Sequence, residues 1–568
     1  MPSLLSLVLF AAGLTTAQNF TQSIAPSATV NGSAIPNSSL YTTSLTINVE
    51  DFWNLRVGPV SSANTTTTVP ATPVPSVSLI PPPPLYYSPF PTGETTFPEQ
   101  KNESWSFPSS FLWGVAGAAY QIEGAAKTDG RGPSVWDKLS RVPNYVVNNY
   151  TADITDNNYF LYRQDIARIA ALGANTYSFS ISWSRIMPFG KGQVNPEGLK
   201  HYADVLDACV EYGLEPVVTL YHWDTPLFLQ DTYGGWLSEQ IVEDFVEYAR
   251  VVYASYGDRV KYWLTVNEPI VFCGQYPLPA QYFKNFTIPN VQQPYWCGHH
   301  VLLAHSQAYR LGKQLMPSSM ISYKNSGGYK IPLTNASADA EAVERAWAFT
   351  EGWFSDPVYL TGDYPSQLKA FVSRFLPDFT PEQKHTLNGS ADFYAHDAYT
   401  AQFYSAPDTG IDACVQNISN PLYPSCTNTT YTSAPASGSW LMGAAADPGA
   451  PWLHRATEWL PAFLTALQTR WPSPGGIAIT EFGFAEPYES RKTLLQDILY
   501  DPVRMGYFHD YMRAVLAAMA GGVHVLGTWA WSFVDNYEWA QGFSVTFGMQ
   551  YVNFSHPALP RYYKASFF

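Results

Sequence analysis

Residues 261–269 read KYWLTVNEP, an apolar, strand-forming run that closes on Glu268 and is stopped by Pro269, a residue that cannot donate to a sheet ladder. Residues 476–483, GIAITEFG, repeat the pattern with Glu481 near the end. Working outward from this pair, six more short runs share the texture: FLWGVAGAAY (111–120), TYSFSISWS (176–184), EPVVTLYHW (215–223), MISYKN (320–325), DFYAHDAY (392–399) and VHVLGTWAWSF (523–533). Between them lie segments with apolar residues at three- and four-residue spacing, such as 159–173, 198–213, 239–257, 299–315 and 501–522, which predict amphipathic helices. Eight strand and helix units within residues 103–568 predict an α/β fold, a (β/α)8 TIM barrel enlarged by inserted loops. A doubly wound open sheet is the alternative, but no Gly-rich phosphate turn follows the first strand.

Ahead of the barrel, residues 18–102 form a Ser/Thr/Pro-rich extension whose extreme is TTTTVPATPVPSVSLIPPPP (65–84), a composition that favours extended chain. Within it, SLTINVEDFWNLRVGPV (44–60) carries Phe52, Trp53 and Leu55. It reads either as a short helix docking on the main body or as a sticky spot in a flexible arm. Residues 1–17 hold an apolar run followed by Thr15 and Ala17, the pattern of a secretory signal peptide. Asn-x-Ser/Thr sites at Asn19, Asn31, Asn37, Asn64, Asn102, Asn149, Asn285, Asn335, Asn388, Asn417, Asn428 and Asn553 fit a secreted, extracellular route. No other run has the ~18–20 apolar residues of a membrane span.

The chain has 31 basic and 46 acidic residues, a formal net charge of −15, which argues against a nucleic-acid partner. Hydrophobic residues make up 46% of the chain, ample for a large core and too many for a disordered protein. Of five cysteines, Cys273 and Cys297 bracket one loop and Cys414 and Cys426 another, so these pairs are the expected disulfides. Cys209, inside a helical run, is expected to be a buried free thiol. The cysteines lack zinc-ligand spacing and His299-His300 is isolated, so neither metal nor cofactor is expected.

In a (β/α)8 barrel the working residues project from the C-terminal ends of the strands. Two glutamates facing each other across that mouth are the equipment of glycosidic bond cleavage, one protonating the leaving oxygen and one attacking the anomeric carbon. Nearby strand-end residues suit a sugar: Gln121, Glu123, His222, Trp223, Tyr399, Trp529, Trp531, Glu538 and Trp539. Sugars present hydroxyls and apolar C–H faces, so their sites combine amide or carboxylate groups with aromatic walls.

The strings FLWGVAGAAYQIEGA, DGRGPSVWD, SFSISWSRIMPFGKGQVNPEGLKHY, EPVVTLYHWDTP, YGGWL, GDRVKYWLTVNEP, ITEFG and WAWSFVDNYEWAQGFSVTFGMQYV occur in that order. Together they resemble glycoside hydrolase family 1, the β-glucosidase family, from about residue 104 to 568. The resemblance implies a retaining mechanism on β-D-glucosides, with Glu268 as acid/base and Glu481 as nucleophile. It also implies that Asn267 binds the sugar 2-hydroxyl and that Gln121, His222, Glu538 and Trp539 bind the glycone. Trp531 would be the stacking platform and Tyr399 a donor to the nucleophile, with Trp223 completing the substrate-binding set. The expected partner is a small carbohydrate or glycoside. A catalytically silent carbohydrate-binding barrel and a transglycosylating variant are the alternatives.

The family pattern has an arginine, paired with the nucleophile, where this chain has Ser178. Its absence predicts that Glu481 ionises less easily unless another donor, such as Tyr399, compensates. Phe482, Asp397 and Thr546 also depart from the pattern and are expected to cluster near the same centre.

Overall fold

A computed structural model describes residues 47–63, 105–283 and 287–568. The expected signal peptide, most of the Ser/Thr/Pro-rich extension and the sequons at Asn19, Asn31, Asn37, Asn64, Asn102 and Asn285 lie outside the described residues.

Each of the eight quoted runs supplies one strand: β1 Leu112–Gly117, β2 Thr176–Ser180, β3 Glu215–Tyr221, β4 Tyr262–Asn267, β5 Met320–Ser326, β6 Tyr394–Asp397, β7 Ile477–Phe482 and β8 Val525–Trp531. They pair in sequence order and β1 closes on β8, giving a closed parallel barrel. Their residues are almost all buried, which is why the strands read as apolar runs rather than as alternating ones.

The outer layer is helical: α2 Asn158–Ala171, α3 Pro196–Glu211, α4 Gln240–Tyr256, α5 Gln293–Leu315, α6 Ser337–Phe349, α7 Leu460–Arg470 and α8 Pro502–Ala520. α3 shows how sequence starts such an element. Asn195 accepts a hydrogen bond from the Glu197 amide, and Pro196 opens the helix with its φ already set.

Two small sheets accompany the barrel. Strands at Tyr329–Pro332, Ala401–Ser405 and Asn428–Thr430 form a small separate sheet, and Gln550–Val552 pairs with Arg561–Tyr563. The disulfides are those expected, Cys273–Cys297 and Cys414–Cys426, and Cys209 is free and buried.

The 44–60 stretch takes the docked form. Helix α1, Val49–Arg56, is capped by Asn48, which accepts from the Asp51 amide at 2.8 Å. Phe52 packs against Phe189 and Phe228, and the fully buried Trp53 donates through Nε1 to the Arg131 carbonyl at 2.7 Å. Arg56 forks onto Asp231 at 2.6 and 2.7 Å. Leu55, grouped with the buried aromatics on sequence grounds, is 71% exposed, because the helical period turns it to the outer face.

Candidate functional site

β4 carries the chain to Asn267, and Glu268 then adopts a left-handed conformation (φ 41°, ψ 64°) before Pro269 opens a short helix. The Glu268 amide donates to the Lys324 carbonyl of β5 at 3.0 Å, tying the two strand ends together. On β7, Glu481 faces the barrel interior while its neighbour Phe482 faces outward, as strand alternation requires. Gly483 follows because nothing larger fits: an added Cβ would lie 1.9 Å from the Trp531 carbonyl oxygen.

The two glutamates meet in one buried centre but in different surroundings. Glu481 accepts from Lys324 Nζ on Oε1 at 2.8 Å and from the Tyr399 hydroxyl on Oε2 at 3.0 Å. Burial and then repulsion from Glu481 push the Glu268 carboxyl up to about 8. Glu538 is likewise pushed to about 8, by burial and then by the charges of Glu481 and Glu268. The site therefore gives Glu481 a cation and a phenol as donors and keeps the Glu268 and Glu538 carboxyls protonated at neutral pH.

The remaining expected ligands surround this pair. Asn267 Nδ2 lies 3.1 Å from His222 Nε2, while its Oδ1 is buried without a partner. Gln121 is fully buried, donates to Asn536 and to the Tyr537 carbonyl, and also leaves its Oε1 unpartnered. Buried acceptors without donors mark places where a ligand hydroxyl can bind. The His222 ring is stacked near Trp531 and Trp539, at centroid distances of 5.9 and 5.8 Å. Burial and the Lys324 charge hold its imidazole neutral, well below the usual range. Trp223 packs on Trp539 at 4.6 Å and donates Nε1 to the Asn267 carbonyl at 3.0 Å.

Two residues that looked suited to sugar turn out to be structural. Glu123 is consumed by Arg185 at 3.0 Å and the Tyr202 hydroxyl at 2.6 Å. Trp529 is buried in the barrel against Gly114. The expected cluster of departures also divides. Phe482 stacks on Tyr511 of α8 at 4.3 Å, outside the barrel, whereas Asp397 lies in register with Glu481 and accepts from Thr480 at 2.6 Å. Thr546 offers its carbonyl to Arg504, itself held by Asp501 and Glu489. His299 and His300 bond Tyr364 and the Trp236 carbonyl in the packing around α5.

Lys324 was missed by sequence reasoning. It lies 157 residues from Glu481 in a run, MISYKN, that is otherwise unremarkable. Its available signal was a basic residue among strand residues predicted to be buried, since such a charge persists only when paired.

Residues 103–568 match the family description glycosyl hydrolase family 1. β-Glucosidase 1B of Phanerodontia chrysosporium is 37% identical over 462 residues, spanning 79% of this chain and 82% of that protein. A rice β-glucosidase mutant solved in a covalent complex with glucose has a TM-score of 0.75 at 35% identity, covering 81% of this chain and 97% of its own. A β-glucosidase from the fungus Humicola insolens, solved in complex with glucose, has a TM-score of 0.75 at 33% identity, covering 82% and 97%.

Proposed function

This chain belongs to glycosyl hydrolase family 1 and is a retaining β-glucosidase, and on that premise we propose that Glu481 is its nucleophile and Glu268 its acid/base. The observation that carries the assignment is the asymmetry between them. Glu481 accepts from an ammonium on one oxygen and a phenol on the other, whereas Glu268 is pushed up to about 8 and protonated at neutral pH.

Glu481 attacks C1 of the β-glucoside while Glu268 gives its proton to the departing glycosidic oxygen, leaving an α-linked glycosyl ester on Glu481. Esterification removes the Glu481 charge, and with it part of what raises Glu268. Glu268 then titrates lower and takes a proton from the water that attacks C1, releasing glucose with its β configuration. The unpartnered Oδ1 of Asn267 and Oε1 of Gln121 accept sugar hydroxyls. Trp531 and Trp539 wall the ring, and Glu538, Trp223 and His222 complete the glycone site.

The test is incubation with an aryl 2-deoxy-2-fluoro-β-glucoside followed by peptide mass spectrometry. An adduct on Glu481 is expected. No adduct, with glucose still bound, would instead support the silent carbohydrate-binding barrel.

We also propose that the protein is secreted. The apolar run at residues 1–17, the two disulfides and the exposed sequons at Asn149, Asn335, Asn388 and Asn417 support that route. Among the described residues no helix is long and apolar enough to cross a membrane. A mature N-terminus at Gln18 with glycans on these four asparagines is the expected result.

A further inference from the structure

Ser178 lies buried on β2 and brings no charge to the barrel. Across the barrel, on β5, Lys324 carries an ammonium that is 2% exposed and bonded to Glu481 Oε1 at 2.8 Å. We propose that Lys324 is the positioning cation of the nucleophile in this chain, a positive charge transposed from β2 to β5. The inference rests on the reading of Glu481 as nucleophile.

The strand register makes the transposition possible. β4 and β5 pair Asn267 with Lys324, β5 and β6 pair Lys324 with Ala395, and β6 and β7 pair Asp397 with Glu481, so the lysine starts two residues before the Asp397–Glu481 level and its long side chain reaches the carboxylate. From there it faces Glu481 on β7, Asp397 on β6, Glu268 after β4 and the neutral His222 after β3, with Tyr399 on the far side of the Glu481 carboxylate. A buried ammonium in such a place is retained only by its carboxylate.

The geometry differs from that of a guanidinium fork, which would engage both carboxylate oxygens at once. Here Lys324 takes Oε1 and Tyr399 takes Oε2, one donor per oxygen, which fixes the carboxylate plane and leaves a lone pair on each oxygen for C1. Asp397 does not compete for the lysine. Its Oδ1 accepts from Thr480, its Oδ2 has no hydrogen-bond partner, and burial and then Glu481 raise its carboxyl well above the usual range.

The experiment compares the wild type with Lys324→Met, Lys324→Arg and the double variant Ser178→Arg/Lys324→Met. The readouts are the rate of Glu481 adduct formation from the aryl 2-deoxy-2-fluoro-β-glucoside and the pH profile of kcat/KM. Lys324→Met is expected to form the adduct about 100-fold more slowly, with the acid limb of the profile moved to higher pH, as loss of a charge-assisted hydrogen bond requires. Lys324→Arg should stay within about tenfold of wild type, because it keeps the charge but changes its reach. The double variant should regain at least about tenfold over Lys324→Met, since it restores a cation.

Adduct formation by Lys324→Met at the wild-type rate with an unchanged pH profile would overturn the inference. If Lys324→Met does not fold, the double variant carries the test: folded and active supports the transposition, folded and inactive refutes it. Absence of a Glu481 adduct in the wild type would defeat the nucleophile assignment itself, a separate outcome.

Discussion

The Tyr399 hydroxyl donates to Glu481 Oε2 at 3.0 Å, and the loop holding it is braced by Tyr507, which donates to the Tyr399 carbonyl at 2.9 Å. Tyr399→Phe removes one hydrogen bond to a charged group, about 1.5–3 kcal/mol, and so should lower kcat by about 10- to 100-fold. KM should change less, because the bond positions the attacking group. Steady-state kinetics on an aryl β-glucoside check this, and an unchanged kcat would remove Tyr399 from the machinery.

With Glu268 as the proposed acid, its raised carboxyl is expected to set the basic side of the pH dependence. Its pKa of about 8 lies above the usual carboxylate range, so the catalytic proton is present below that pH and is lost as pH rises through it. Activity on a substrate with a poor leaving group should therefore fall above about pH 8. Glu538 is raised to the same range, by burial and then by the charges of Glu481 and Glu268, but carries no proton in the proposed transfer to the leaving group. Glu268→Gln, lacking the acid, should lose that limb along with most of the turnover.

Helix α1 is a stabilising clasp whose anchor is Trp53. Trp53→Ala deletes a fully buried ring and its hydrogen bond to Arg131, a loss of about 3–5 kcal/mol for a buried tryptophan. The expected signs are a lower melting temperature and protease cleavage within residues 47–63, both measurable on the purified protein. A variant as stable and as protease-resistant as wild type would show that the docked helix contributes nothing.

The thiol inventory gives a further check. Non-reducing peptide mapping should recover Cys273 linked to Cys297 and Cys414 linked to Cys426. Cys209 should resist iodoacetamide in the native protein and react after denaturation, because burial raises its thiol to about 12 and the thiolate is the reactive form. Labelling of Cys209 in the native state would contradict its burial in α3.

Much of the scaffold was legible before folding because it rests on local patterns. Apolar runs located each barrel strand, Pro269 and Gly483 marked the ends of the two glutamate-bearing strands, and two loop-bracketing cysteine pairs gave the disulfides. The insert sheet around Ala401–Ser405 was not legible, since its strands are three to five residues long and draw their partners from distant loops.

The sequence by itself determined the barrel, the strands that carry Glu268 and Glu481, and the aromatic and amide groups available beside them, because these follow from short-range periodicity and chain order. Tertiary structure alone decided which neighbours each group acquired. Glu123 went to Arg185 and Tyr202, Phe482 turned outward to Tyr511, and Lys324 came to Glu481 from 157 residues away. Closing the barrel fixes register across non-adjacent strands, and that register sets which buried charge meets which. In a low-dielectric interior such a pairing weighs heavily on a carboxyl's proton, so the difference in surroundings on which the proposed roles of the two glutamates rest is a property of the folded barrel.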